Sequence, residues 1–151
     1  MNNGILGTKA VIQLGIIVRD INVTSKKYAQ LFGVEIPQVI ITDVYEKTQT
    51  QYRGKPTSAR AKMAFIHTEG GLVIELIEPD ENPSTWREFL DTYGEGPHHI
   101  AFSIKDTNGK IKLLEELGMS LVQKGIYSGG EYSYIDSTEH LKIMIELLEN
   151  Y

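Results

Sequence analysis

Alternating apolar and polar residues predict a series of short strands, and four of these strands form two related pairs. The stretch 13–20, QLGIIVRD, is echoed by 99–106, HIAFSIKD. The stretch 73–78, VIELIE, is echoed by 144–149, MIELLE. This repetition indicates that one structural unit is present twice in the chain.

Each predicted unit has the element order βαβββ. A single unit leaves one apolar sheet face uncovered, so two units are expected to pair. The predicted fold class is therefore α+β, with two tandem βαβββ modules that form a curved mixed sheet around a cleft, helices outside. We expect one domain over 1–151, with module one at 10–79, a linker and short helix at 80–96, and module two at 97–149. The strands are predicted at 11–18, 39–45, 61–67, 72–77, 98–104, 120–124, 131–136 and 141–148, and the helices at 23–31, 85–93 and 109–117.

Two local features complete the predicted organisation. In the first helix, Tyr28, Leu31 and Phe32 are expected on the buried side. The polar segment 46–60 contains glycine and proline and is interpreted as a mobile loop or a distorted hairpin.

Composition narrows the classes of function. The net charge of -5 and the absence of a Lys/Arg cluster argue against nucleic-acid binding. No apolar run is long enough to span a bilayer, and residues 1–10 lack the apolar core of a signal peptide. No cysteine is present, which excludes disulfides, thiolate metal ligands and a cysteine nucleophile. A cytoplasmic enzyme is expected.

The paired strands carry four polar residues that suit a metal site. Gln13 and His99 occupy matching positions on the two opening strands, and Glu75 and Glu146 occupy matching positions on the two closing strands. One imidazole nitrogen, one amide oxygen and two carboxylate oxygens suit Zn, Ni, Co or Mn, and the two carboxylates neutralise the ion's charge. The cleft is therefore predicted to be a metal cleft, in which the ion would polarise a carbonyl group of a substrate.

The other three histidines are given different interpretations. His98 is expected to face the opposite side of the strand from His99, because side chains alternate along a strand. His67 and His140 flank predicted turns and are expected at the surface.

The repeated pattern resembles the vicinal oxygen chelate superfamily, which includes glyoxalase I, methylmalonyl-CoA epimerase, extradiol dioxygenases and bleomycin-resistance proteins. The resemblance covers roughly 10–149. The second half is most similar to methylmalonyl-CoA epimerase, through the runs PSTWREFL at 83–90, GEGPHHIAF at 94–102 and IEL at 145–147. This resemblance implies a metal-dependent epimerase or isomerase in which Glu146, and Glu75 as a second carboxylate, transfer a proton next to a carbonyl. It also implies an acyl-CoA thioester substrate and a homodimer, with modules that pair within one chain or across a two-fold axis.

Two alternatives stay open. Gln, Glu, His and Glu also form the ligand set of one class of glyoxalase I, which implies a lactoylglutathione lyase acting on a thiol–carbonyl adduct. Where that class has its glutathione-binding Arg, Asn and Arg, this chain has Ile17, Pro79 and Glu95. The second alternative is a non-catalytic small-molecule-binding protein like the bleomycin-resistance proteins. An extradiol dioxygenase would need histidine in place of Gln13.

Overall fold

The computed structural model of the chain describes residues 4–151, and the strands in this part form one ten-stranded sheet. The order across the sheet is β2-β5-β6-β1-β7-β10-β9-β8-β3-β4. The elements are β1 (Gln13–Ile17), α1 (Ile21–Phe32), β2 (Ile40–Ile41), α2 (Tyr45–Thr48), β3 (Gln51–Tyr52), β4 (Lys55–Pro56), β5 (Ala61–His67), β6 (Val73–Pro79), α3 (Thr85–Tyr93), β7 (Gly96–Ser103), α4 (Thr107–Glu116), β8 (Ser120–Tyr127), β9 (Gly130–Asp136), α5 (Thr138–Leu141) and β10 (Met144–Asn150). The sheet curls into a half-barrel with helices outside, and the predicted fold class is confirmed.

The two halves of the sheet meet within a single chain. β1 pairs antiparallel with β7, while each of these strands pairs in parallel with the closing strand of its own half, β6 and β10. The sequence left open whether the modules pair within one chain or between two. The β1–β7 pairing shows that they pair within one.

The outer face of the sheet is covered by one helix per half. α1 packs on the first half against a cluster that includes Val18, Ala64 and Leu76. α4 packs on the second half, where Ile111 and Leu114 join the apolar outer face of β10 and its neighbours. Because α1 and α4 cover the outer face, the inner, concave face of the sheet is free to form a cleft.

Two capping residues, Asp20 and Gly33, determine where α1 begins and ends. The Asp20 carboxylate accepts the backbone N–H of Val23 at the N-terminus, and Gly33 ends the helix in a left-handed conformation with φ 67°. The buried residues of α1 are Ile21, Ser25 and Ala29. The prediction that Leu31 and Phe32 are buried is wrong, since they are 75% and 44% exposed. They lie in the last turn of the helix, next to its C-terminal cap Gly33.

The predicted strand 39–45 is much shorter in the structure, and the segment that follows it closes the cleft. We call residues 42–50 the strap: this segment contains α2 and connects β2, at one edge of the sheet, to β3, near the other. β3 pairs with β8 of the second half, and the hydroxyl of Thr57 donates to the Pro83 carbonyl at 2.7 Å. The strap therefore crosses the open side of the half-barrel.

None of the helices formed by residues 4–151 is long and apolar enough to cross a membrane.

Candidate metal centre and its cavity

The four predicted ligands project from the four central strands onto the same face of the sheet. Gly15 pairs with Glu75 on one side and with His99 on the other, and Ala101 pairs with both Gln13 and Glu146. Because side chains alternate along a strand, this register puts all four ligand candidates on the concave face. The junction between the two halves is thus the place where they meet.

The donor atoms of these side chains lie close together. His99 Nε2 is 3.1 Å from Glu146 Oε2, 3.4 Å from Gln13 Oε1 and 3.5 Å from Glu75 Oε2. The ligand atoms of Glu75, His99 and Glu146 all lie within 4.8 Å of one another. His99 is fully buried, and the two glutamates are each only 4% exposed.

The two buried glutamates have too few hydrogen-bond donors in the described part of the chain. Glu75 Oε2 and Glu146 Oε2 have no hydrogen bond of good geometry there, because one imidazole N–H cannot be directed at several oxygens. Burial raises the pKa of Glu75; the nearby His99 acts against this, and the nearby Glu146 raises the pKa further. Burial alone would lower the pKa of His99, but the neighbouring Glu146 and Glu75 raise it to about 9. The centre therefore attracts positive charge.

The donor set fits a divalent ion. Ligands held about 2.1 Å from one metal lie roughly 3.0 to 3.5 Å apart in octahedral or tetrahedral geometry, which is the spacing of the oxygens around His99 Nε2. The two buried carboxylate oxygens without partners would gain one in the ion. Gln13, Glu75, His99 and Glu146 are thus the residues that would hold it.

His98 does not lie where strand alternation predicts. β7 has a bulge opposite β1: Gly15 pairs with His99, but the next residue, Ile16, pairs with Pro97, so that His98 is the extra residue. Its ring packs edge-on against Tyr134 on the concave side and is only 2% exposed. The prediction that His98 faces away from His99 is therefore wrong, because the bulge breaks the two-residue period.

The two imidazoles are in direct contact. His98 Nδ1 lies 2.9 Å from His99 Nδ1, with the ring planes at 88°. Burial lowers the pKa of His98 well below its ordinary value and the neighbouring His99 lowers it further, while the Thr85 backbone acts in the opposite direction. The other two histidines, His67 and His140, are exposed, as the sequence predicts.

An aromatic wall, which the sequence did not single out, stands beside the centre. Trp86 of α3 donates its indole N–H to Tyr134 Oη at 3.0 Å and also stacks on Tyr132. Tyr132 and Tyr134 are two residues apart on β9, and Tyr134 pairs with Glu146 on β10, so both rings share its face. Burial raises the pKa of Tyr134 well above its ordinary value, so that its hydroxyl stays protonated.

The wall and the centre line a cavity of about 930 Å³. Its lining is mostly apolar and aromatic, and among the described residues Lys47 of the strap is the one cation that lines it. Lys47 is paired with Asp43 at 3.4 Å and is 70% exposed. The sequence signal for these residues is weak, because the strap comes from a polar stretch without periodicity. The lining consists of Gln13, Ile40, Ile41, Thr42, Asp43, Lys47, Thr48, Thr50, Ala59, Met63, Phe65, Glu75, Trp86, Ile126, Tyr127, Ser128, Tyr132, Tyr134, Glu146, Leu148 and Asn150.

Comparison with known families agrees with this architecture. The family model of the glyoxalase/bleomycin resistance protein/dioxygenase superfamily matches residues 12–135, which is most of the chain. The chain belongs to this superfamily. The resemblance noted in the paired strands is thereby confirmed at the level of the superfamily.

Similar proteins include one curated relative and several solved structures. The chain is 28% identical over 93 residues to the uncharacterized protein YqjC of Bacillus subtilis (strain 168), a match that covers 60% of this chain and 66% of that protein. It is similar to methylmalonyl-CoA epimerase from Mycobacterium tuberculosis, with a TM-score of 0.59, 22% identity and coverage of 93% and 87% of the two chains. It is also similar to a variant of Streptomyces coelicolor methylmalonyl-CoA epimerase in complex with 2-nitronate-propionyl-CoA, with a TM-score of 0.60, 21% identity and coverage of 93% and 96%. At these identities the structural likeness establishes a shared fold.

Proposed function

We propose that this chain is a divalent-metal-dependent epimerase or isomerase that transfers a proton at the carbon next to a carbonyl group. The observation that carries the proposal is the buried cluster of Glu75, His99 and Glu146 at the wall of a large cavity, with two carboxylate oxygens that lack hydrogen-bond partners in residues 4–151. Buried carboxylates of this kind are uncommon in a protein core unless they bind a cation or act on a substrate.

The proposed ligands are Gln13, Glu75, His99 and Glu146. A divalent cation such as Zn, Ni, Co or Mn held by these residues would supply Lewis-acid stabilisation of the negative charge that develops on a carbonyl oxygen.

The two glutamates have the proposed role of proton carriers. Glu146 takes the proton from the carbon next to the carbonyl, and the electron pair of the broken C–H bond delocalises onto the carbonyl oxygen. A proton returned to the opposite face of the same carbon completes the epimerisation. Glu75 is the proposed donor of that proton, because β6 and β10 flank the site from opposite sides, with β1 and β7 between them.

An acyl-CoA thioester is the first substrate class to test. The two solved structures described above are methylmalonyl-CoA epimerases, and the second is in complex with 2-nitronate-propionyl-CoA. The apolar lining of the cavity suits the neutral pantetheine arm of such a thioester.

The test combines metal analysis with isotope exchange. The purified chain is expected to bind one equivalent of divalent metal and to exchange the C–H next to the thioester carbonyl of methylmalonyl-CoA with solvent deuterium, measured by mass spectrometry. Glu146→Gln should abolish the exchange. Glu139→Gln, at an exposed glutamate of α5, is the matched control and should exchange normally. Stoichiometric metal without exchange in any acyl-CoA tested would refute the proposed reaction.

The same assays separate the two other functions considered. A lactoylglutathione lyase would consume the hemithioacetal of methylglyoxal and glutathione, but the one cation lining the cavity in residues 4–151 is already paired with an acid, which disfavours a ligand with two free carboxylates. A non-catalytic binding protein would bind no stoichiometric metal. The expected homodimer and cytoplasmic location stay predictions.

A further inference from the structure

We propose that His98 is a positioning residue that accepts a hydrogen bond from His99 and thereby holds the His99 ring with its Nε2 lone pair directed at the metal site. This inference rests on the proposed metal centre and concerns a residue outside its four ligands. Ligand histidines in metalloproteins normally donate their second ring N–H to a carboxylate, a carbonyl or a water molecule. Here the acceptor would be a second imidazole.

The contact between the two rings requires one shared hydrogen. The two Nδ1 atoms lie 2.9 Å apart, so that one must donate and the other must accept. Both rings are buried, at 2% and 0% exposure, which leaves no room for solvent to provide an alternative partner. The protonation of one ring therefore determines that of the other.

The surroundings of His99 decide the direction of the bond. Its Nε2 faces three oxygens, from Gln13, Glu75 and Glu146, and can ligate a metal only without a hydrogen. A neutral His99 then carries its hydrogen on Nδ1 and donates it to His98. His98 in turn must carry its own hydrogen on Nε2.

The surroundings of His98 offer no competing direction for that bond. The backbone N–H of the neighbouring Thr85 is already donated to Gln123 Oε1 at 2.8 Å and so is not available to the His98 ring. His98 Nε2 is buried without a hydrogen-bond partner in residues 4–151, so the contact with His99 Nδ1 is the hydrogen bond that this part of the chain gives the His98 ring.

Packing prevents His98 from turning away. The bulge in β7 forces its side chain toward the concave face, where the ring stands edge-on to both Phe89 and Tyr134, with centroid distances of 5.4 and 5.1 Å. A rigid acceptor of this kind costs little conformational entropy when the metal binds, because the ring is already held in place.

Two variants separate positioning from packing. His98→Phe keeps an aromatic ring between Phe89 and Tyr134 but removes the acceptor. His98→Asn keeps an acceptor oxygen near the Nδ1 position but leaves part of the ring volume empty. The measurements are Zn²⁺ affinity by titration calorimetry and thermal unfolding of the metal-free protein.

The two measurements are expected to rank the variants in opposite orders. His98→Phe should lose about 10- to 100-fold in Zn²⁺ affinity, the usual loss when the partner of a ligand histidine is removed. His98→Asn should bind Zn²⁺ more tightly than His98→Phe, although it unfolds at a lower temperature. If the role were packing alone, Zn²⁺ affinity would follow stability, and that result overturns the inference.

A spectroscopic measurement on the unaltered chain is independent of how the variants fold. With ¹⁵N-labelled histidine and bound Zn²⁺, the ring nitrogens should show hydrogen on Nε2 of His98 and on Nδ1 of His99. Hydrogen on Nδ1 of His98 refutes the inference. If the unaltered chain binds none of Zn²⁺, Ni²⁺, Co²⁺ and Mn²⁺, the proposed function itself fails. If it binds one of these ions and His98→Phe binds that ion equally well, only the role of His98 is refuted.

Discussion

The backbone of Gly15 lies directly against the imidazole of His99. A Cβ atom on Gly15 would lie 2.0 Å from Cε1, 2.3 Å from Nδ1 and 2.6 Å from Nε2 of that ring. These distances are far below van der Waals contact, so the ring occupies the volume that any other side chain at position 15 would need. The φ angle of Gly15 is not positive, so its backbone conformation does not require glycine. Glycine is required because the His99 ring approaches this backbone so closely.

Substitution of this glycine should displace the histidine. We expect Gly15→Ala to lower the free energy of unfolding by about 1 to 3 kcal/mol, the usual penalty for overpacking a filled interior. Because His99 must move, divalent-metal affinity should fall by about tenfold or more, as for other displaced ligand histidines. Calorimetric titration with Zn²⁺ and urea unfolding measure the two effects.

The matched control is Gly125→Ala. A Cβ at Gly125 would lie 2.7 Å from Cε1 of Tyr132, which is not a ligand candidate. This variant should lose stability but keep its metal affinity. Equal losses of affinity in both glycine variants would show that general destabilisation, and not the displacement of His99, reduces metal binding.

The placement of the four ligand candidates on one face of the sheet was predictable, because each depends on local alternation in its own strand. Gln13, Glu75, His99 and Glu146 occupy corresponding positions in repeated strands, and a repeat places corresponding positions at corresponding places in the sheet. Helix α3 was predicted with its observed limits for a similar local reason: Ser84 accepts the backbone N–H of Arg87 and Gly94 follows the last turn.

Features that depend on distant pairing were not predictable. The orientation of His98 follows from a bulge that exists only through the register of β7 against β1, some eighty residues away. The strap closes the cavity because β3 pairs with β8 of the other half, and nothing in residues 42–50 themselves indicates that partner.

The two buried carboxylates of Glu75 and Glu146 should lower the stability of the folded chain until a metal ion binds to them. In the presence of chelator, we expect the free energy of unfolding of Glu146→Gln to exceed that of the unaltered chain by roughly 1 kcal/mol or more. The variant no longer buries two acidic groups, Glu75 and Glu146, beside one imidazole. Metal at 100 times its dissociation constant should stabilise the unaltered chain by about 2.7 kcal/mol. The same metal concentration should stabilise the variant less, because a neutral amide is a weaker ligand than a carboxylate. Urea unfolding with and without Zn²⁺ checks both.

The control for this experiment is Glu139→Gln, which changes charge equally at an exposed position. It should match the unaltered chain with and without metal. The interpretation fails if Glu146→Gln is the less stable protein in chelator.

Glu149, a carboxylate of β10 outside the four ligand candidates, should make the stability of the chain depend on pH in the acid range. Glu149 accepts the side-chain hydroxyl and backbone N–H of Thr107 and the backbone N–H of Asp106 at the start of α4. These hydrogen bonds, the hydroxyl of Thr107 first, hold the pKa of Glu149 below its ordinary value. A carboxyl whose pKa is lower in the folded chain stabilises it above the unfolded pKa, and this contribution is lost as the pH falls through the folded pKa.

Glu149→Gln should therefore unfold at a lower temperature than the unaltered chain at pH 7. The difference should shrink as the pH falls below the unfolded pKa of about 4.3, where the unaltered chain also loses the charge. Glu116→Gln, at an exposed position on α4, is the control and should show little difference at either pH. If the difference in unfolding temperature between Glu149→Gln and the unaltered chain stays constant from pH 7 to pH 3, Glu149 acts through its shape and not through its charge.

The cavity should prefer ligands with a neutral tail, and Trp86 provides the signal with which to measure this. It is the only tryptophan of the chain and lines the cavity, so that an occupant should change its emission. The charged side chains of the lining are acidic apart from Lys47, which is paired with Asp43. In fluorescence titrations of the metal-loaded chain, hexanoyl-N-acetylcysteamine should bind about tenfold more tightly than S-hexylglutathione, a difference of about 1.4 kcal/mol.

Ile126→Lys adds a cation at a 44% exposed position of the lining and should reduce the ratio of the two affinities. Tighter binding of the glutathione conjugate by the unaltered chain would instead favour the lyase over the epimerase.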